Sequence, residues 1–295
     1  MKISDLTVTK DMVIDFLRDH KGLIESNQLG DFFIEAYNVY ENDTKNNIAK
    51  DLPIILFAIF KDVGITFQQV FSGMTNVPQG IFSCVEPASD DAVKAYEEVY
   101  NSKPELVIPP SVKIIRPQAF CGGAFSKIDL GQVENIEWSA FGEVDFNGHL
   151  MIPDTVKLLD REAFEYSSIS ELTIGKGVIA IEDSCFTSCE NLTKVNLSNG
   201  LKVINTGAFC GCEALEHIKI PSTVTEIDDD AFSGTSIVDV TLPKNLKNLG
   251  IDAFYVMDDT CKIHLYHSTY DRIKDEANLE EETNGRKQYE LIFID

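Results

Sequence analysis

Ile220-Pro221-Ser222-Thr223-Val224-Thr225-Glu226-Ile227-Asp228-Asp229-Asp230-Ala231-Phe232 is the stretch on which the fold turns. Phe232 follows an Ala. Ile227 stands five residues before it, Val224 three before that, and Pro221 three earlier still. The same grammar runs through the middle of the chain. The pairs Ala119-Phe120, Ala140-Phe141, Ala163-Phe164, Cys185-Phe186, Ala208-Phe209, Ala231-Phe232 and Ala253-Phe254 keep Phe spacings of 21, 23, 22, 23, 23 and 22. Five before each Phe lies Ile115, Ile136, Leu159, Ile181, Ile204, Ile227 or Leu249. Three before those lies Val112, Val133, Val156, Val178, Leu201, Val224 or Leu246. Pro109, Gly131, Pro153, Gly175, Ser198, Pro221 and Pro243 open the copies with turn-compatible residues. Such a period is one small supersecondary unit per copy. No copy can bury its apolar side alone, so the copies must stack into a solenoid, Phe on Phe and Ile on Ile.

Between the copies run short alternating segments, such as Lys194-Val195-Asn196-Leu197 and Asp239-Val240-Thr241-Leu242. Alternation of period two predicts strands with one face buried. Stacked coils bring these strands together in parallel, about 4.8 Å apart. Their outward residues then form two columns. The first reads Lys127, His149, Glu171, Lys194, His217, Asp239, Lys262; the second Asp129, Met151, Thr173, Asn196, Lys219, Thr241, His264.

The composite pattern Ile-Pro-x-x-Val-x-x-Ile-x-x-x-Ala-Phe-x-x-Cys-x-x-Leu, carried by Ile220–Phe232 and Val178–Leu192, resembles the BspA-like (Treponema-type) leucine-rich repeats. The resemblance covers about residues 104–266 in seven copies. It implies a right-handed curved solenoid used for protein binding or adhesion, without catalytic machinery, as in many cell-surface relatives. The expected fold class is α+β: a leucine-rich repeat solenoid with short parallel strands, preceded by a small helical domain. The expected domains are a helical N-terminal domain at 1–103, the repeats at 104–266 and a C-terminal cap at 267–295. In the first, helices are expected after Thr9 and Ser26, over Ile48 to Phe60, and from Ser89-Asp90-Asp91 with Val93, Tyr96, Val99 and Tyr100 on one face. In the last, a short helix at Tyr270 to Ala277, a charged turn at Glu280 to Arg286 and a closing strand at Tyr289–Ile294 are expected.

The chain of 295 residues has 25 Lys+Arg against 48 Asp+Glu, a net charge of −23. Residues 1–105, 106–266 and 267–295 contribute −8, −11 and −4, so the acidity is general rather than a tail. It repels nucleic acid and anionic membranes. The longest apolar run, Leu52 to Phe60, is too short to span a bilayer. No secretion signal is seen at the start, so a cytoplasmic protein is expected, with the cell surface as the alternative. Seven cysteines, an odd number, do not make a disulfide framework. Cys189 and Cys212 stand three after their repeat Phe, where the resemblance itself places Cys, and Cys185 fills an Ala slot, so packing explains them better than metal. No two-histidine motif, nucleophile elbow or phosphate loop occurs, and Asp228-Asp229-Asp230 lacks the rest of a calcium loop. No enzyme, cofactor or metal is expected.

Function therefore has to be sought on the surface. The two outward columns hold four Lys, three His and three acids in a chain with almost two acids per base. The expected partner-binding residues are Lys127, His149, Met151, Glu171, Thr173, Lys194, Asn196, His217, Lys219, Asp239, Thr241, Lys262 and His264. They would meet an acidic or polar protein surface, with the histidines making the contact pH-sensitive. A second stripe, Ile114, Leu158, Ala180 and Val203, lies two after the repeat Val or Leu and could receive the helical domain or another chain in self-association. A non-enzymatic protein–protein interaction module is the expected function. A surface or secreted adhesin, or a structural component of an assembly or virion, is the alternative.

Overall fold

The structure, a computed structural model, describes residues 64–81, 90–256, 260–275, 277, 279, 282–283, 286–287 and 289–295. In chain order it begins with helix α1 (Phe67–Val70), β1 (Asn76–Val77), α2 (Asp90–Ser102), β2 (Glu105–Val107), β3 (Ile114–Ile115), β4 (Lys127–Asp129) and β5 (Asn135–Ile136). Next come β6 (His149–Ile152), β7 (Leu158–Leu159), β8 (Glu171–Ile174), β9 (Ala180–Ile181), β10 (Lys194–Asn196), β11 (Val203–Ile204), β12 (Glu226–Ile227), β13 (Asp239–Thr241) and β14 (Asn248–Leu249). The chain closes with β15 (Cys261–Leu265), α3 (His267–Ile273), β16 (Glu282–Thr283), β17 (Arg286–Lys287) and β18 (Tyr289–Phe293). Every strand pair but the hairpin β16–β17 is parallel.

Each coil is tied to the next along three lines. The long strands form one wall and the two-residue strands a second. The third line runs through the repeat phenylalanines. Phe120 N donates to Ala140 O, Phe141 to Ala163, Phe164 to Cys185, Phe186 to Ala208, Phe209 to Ala231 and Phe232 to Ala253. Residues two before and two after each Phe donate likewise, as Ser184 N does to Thr206 O and Ser188 N to Cys210 O. Three N–H groups in a row can aim one way because those flanking residues are left-handed. Gln118, Ser139, Glu162, Ser184, Gly207, Asp230 and Asp252 have φ between 49° and 62°. Gly122, Glu143, Tyr166, Ser188, Gly211 and Gly234 form a second such column.

The phenylalanines stand in single file inside. Neighbouring ring centroids from Phe120 to Phe254 are 4.9 to 5.5 Å apart with near-parallel planes. All seven are fully buried. Cys185, Cys189 and Cys212 are buried beside them, and all six described cysteines are free thiols. Cys189 Sγ and Cys212 Sγ donate to the carbonyls of Phe164 and Phe186, as Ser167 Oγ and Thr235 Oγ1 do to those of Phe164 and Phe232. The slot wants a small side chain with one weak donor, and Cys supplies it. Burial pushes the Cys185 thiol up, which suits packing and not reactivity. Among the described residues no cluster suits a metal ion.

Three expectations need correction. The long-strand wall is not one ladder; it breaks into β2–β4, β6–β8–β10 and β13–β15–β18. His217 to Ile220 keep alternating burial but form no strand. The second wall breaks at one place, between β7 and β9. The breaks are staggered, and the phenylalanine line is continuous, so at least two lines hold at every junction between the coil of Phe120 and that of Phe254. Second, the C-terminal helix is His267–Ile273, earlier than expected, and the expected charged turn contains the hairpin β16–β17. Third, the stack begins before the first recognised repeat: β1 pairs with β3 through Asn76↔Ile114 and Val77↔Ile115. The helices expected after Thr9 and Ser26 and over Ile48 to Phe60 lie outside the described residues. The one expected near Ser89 is α2.

Candidate protein-binding interface

Parallel pairing in register lines up the outward residues of the long strands. Lys194 lies against Glu171 and Asn196 against Thr173; His149 lies against Glu171 and Met151 against Thr173; Asp239 lies against Lys262 and Thr241 against His264. Their inward neighbours, Leu150, Leu172, Val195, Val240 and Ile263, are buried. Strict alternation leaves the polar set on the outside. Lys127, His149, Met151, Lys194, Asn196, His217, Lys219, Asp239, Thr241 and Lys262 are exposed; Glu171, Thr173 and His264 are half-buried. Met151 is 59% exposed, the most open apolar side chain on this wall.

Pairing also adds two residues that sequence reasoning missed. Glu105 lies beside Lys127 and Glu290 beside Lys262. A signal for the first existed, because Glu105-Leu106-Val107-Ile108 alternates 22 residues ahead of Lys127. Glu290 follows Lys262 by 28, since α3 and the hairpin intervene. With both included the first column runs acid, lysine, histidine twice over: Glu105, Lys127, His149, then Glu171, Lys194, His217. Asp239 and Lys262 open a third round. The column is thus self-neutralising rather than positive. Lys194 Nζ lies 3.4 Å from Glu171 Oε2, and Lys127 Nζ 3.8 Å from Glu105 Oε2. His264 Nε2 lies 3.3 Å from an Asp239 carboxylate oxygen, and His149 Nε2 2.8 Å from Thr173 Oγ1. Thr173 Oγ1 also accepts from Asn196 Nδ2 at 3.2 Å. These side chains hold one another in place, which lowers the entropy a partner must remove.

The second stripe lies elsewhere. Ile114, Leu158, Ala180 and Val203 are the first residues of β3, β7, β9 and β11, all half-buried on the outside of the short-strand wall. The sheet break between β7 and β9 falls within it.

A model of the "BspA type Leucine rich repeat region" matches six copies over residues 94–202 and 134–260. The chain belongs to this family. Its buried file of phenylalanines is the family's repeat made solid, and the resemblance drawn from the motif is confirmed. Among solved structures, a leucine-rich repeat protein from Bacteroides ovatus is 25% identical, over 60% of this chain and 53% of that one, with a TM-score of 0.46. The pneumococcal vaccine antigen PcpA is 16% identical, over 65% of this chain and 68% of that one, with a TM-score of 0.31. A leucine-rich cell surface protein from Faecalibacterium prausnitzii is 15% identical, over 60% and 64%, with a TM-score of 0.35. No curated protein matches the chain. This BspA-type chain thus spans about half the length of the Bacteroides protein it resembles. Among the described residues no helix is long and apolar enough to cross a membrane.

Proposed function

We propose that this BspA-type chain is a protein-binding module, not an enzyme, and that it grips its partner with the long-strand wall. The observation that carries this reading is the double column of accessible side chains on one wall, held in register within each of its three ladders. A partner with alternating charge at a spacing near 14 Å, three rungs of about 4.8 Å, would match its acid–lysine–histidine succession.

The test is charge reversal at Lys194 and Lys219, both exposed and neither part of the core. Wild type and Lys194→Glu/Lys219→Glu would be compared as baits in the native source, with circular dichroism as the control for folding. Loss of the proteins that the wild type retains supports the reading. Identical retention by a folded double variant removes the wall from consideration.

A further inference from the structure

The short-strand wall carries a pattern of its own over the five rungs from β7 to β14. On one flank, one residue before a strand, stand Lys157, Lys202 and Lys247. On the other flank, just after a strand, stand Asp160, Glu182 and Asp228. Between the flanks lie the half-buried Leu158, Ala180 and Val203, followed in the same lane by the half-buried polar Glu226 and Asn248. Ile179, on the lysine flank, is 60% exposed. The surface is therefore three lanes wide, basic on one flank and acidic on the other, with a centre that is apolar from β7 to β11 and polar at β12 and β14. That the acidic lane adjoins the central one is shown by Asp228 Oδ1, which accepts from Asn248 Nδ2 in the central lane at 3.1 Å. The carboxyls of Glu182 and Asp228 are pushed up, first by burial and then by neighbouring acids, so this lane lacks a cationic partner of adequate strength. Lys157 has already paired with Glu134 at 2.6 Å. Lys202 and Lys247 are accordingly the lysines on which an intermolecular contact depends most.

A face with opposite charges on its two flanks complements itself. We propose that it is the contact between two copies of this chain, laid face to face about a two-fold axis that runs along the lanes. That rotation exchanges the flanks and places each lysine lane over the other copy's acidic lane. Lys202 then lies between the levels of the second copy's Glu182 and Asp228. A two-fold axis across the lanes would set lysine over lysine, so the charge pattern selects the side-by-side, parallel arrangement. Leu158, Ala180 and Val203 with Ile179 supply the dry centre, and Glu226 and Asn248 leave the C-terminal end of the lane polar. Five rungs span about 20–25 Å, a footprint of a few hundred Å² per copy, at the low end of specific interfaces. The dimer is thus weak and sensitive to salt. This inference concerns a different wall from the proposed partner site and stands or falls apart from it.

Sedimentation velocity of the full chain, from about 1 to 500 µM, reads the association directly. The expected result is a monomer–dimer equilibrium whose dissociation constant rises at least about tenfold between roughly 50 and 500 mM salt. Ile179→Asp, at an exposed site, should abolish it without unfolding the chain. Two charge variants give the sharper test. Lys202→Glu/Lys247→Glu and Glu182→Lys/Asp228→Lys should each be monomeric, because each sets like charges face to face. An equimolar mixture should dimerise, since both flank contacts are then attractive. A wild type that stays monomeric throughout, an Ile179→Asp variant that still dimerises, or a mixture that does not associate overturns the proposal.

Discussion

At the scale of single residues, two demands shape each coil. The Phe slot demands a flat ring with another ring above and below, and every ring from Phe141 to Phe232 has both. Removing one from mid-stack leaves a hole that rigid neighbouring coils cannot close. Phe186→Ala should cost about 3–5 kcal/mol, read from urea denaturation. The second demand is a left-handed backbone two residues before the ring. Gly207 meets it freely, while Ser184 meets it with a side chain in a strained region. A Cβ at Gly207 would find its nearest atom, Ser184 Oγ, at 3.4 Å, so space is no obstacle. Gly207→Ala should therefore cost only the conformational penalty, about 1 kcal/mol. A much larger loss in the same denaturation assay would mean that the ladder tolerates less than its seven left-handed residues suggest.

At the scale of elements, the joint between α2 and the first coils is held by one carboxylate. Asp145 takes Lys103 Nζ at 2.7 Å, the Tyr100 hydroxyl at 3.2 Å and Ser168 Oγ at 3.2 Å. Tyr96 adds a bond to the Gly122 carbonyl. The hydrogen bond from Lys103 holds the Asp145 carboxyl below its ordinary range. A lowered carboxyl stabilises the fold above its unfolded pKa, and that contribution disappears as pH falls through the folded value. Asp145→Asn should weaken the joint at neutral pH and flatten the loss of stability below about pH 4, measured by thermal melts across pH. Amide exchange in α2 should rise with it. The elements also show what the sequence made legible. The coil was readable because Phe, Ile and Val repeat at fixed offsets, and both outward columns followed from strand alternation. The added first rung kept those offsets, since Met74 and Val77 stand eight and five before Phe82. It went unread because Ile81 replaces Ala and because α2 separates it from the next coil. The staggered breaks were not legible at all. His217 to Ile220 alternate as the strands before and after them do, so nothing in their pattern marks the break there. The candidate site was legible in its membership, but its neutralising ends, Glu105 and Glu290, required the pairing.

At the scale of the whole molecule, a charge of −23 on a chain that stacks its coils every few ångströms sets like charges in columns. The strain is concentrated where half-buried acids sit beside other acids of the same coil. Burial and then Glu162 push the Glu165 carboxyl up; burial and then Asp183 do the same to Glu182; burial and then Glu226 to Asp228. A carboxyl raised in the fold works against folding above its folded pKa, and the penalty is relieved as pH falls through that value. Lowered groups act the other way. Asp145, Asp295 beside His267, and Glu134 beside Lys157 lose their stabilising bonds only as pH falls below the ordinary carboxylate range. The two sets together move the stability maximum from neutrality toward the ordinary carboxylate range. Melting temperature should rise as pH is lowered from neutrality to that region and fall steeply below about pH 4. Glu182→Gln should raise the neutral-pH value toward the maximum and narrow the difference between the two conditions. A melting temperature that only declines on acidification, in wild type and Glu182→Gln alike, would show that these half-buried acids are not a source of strain.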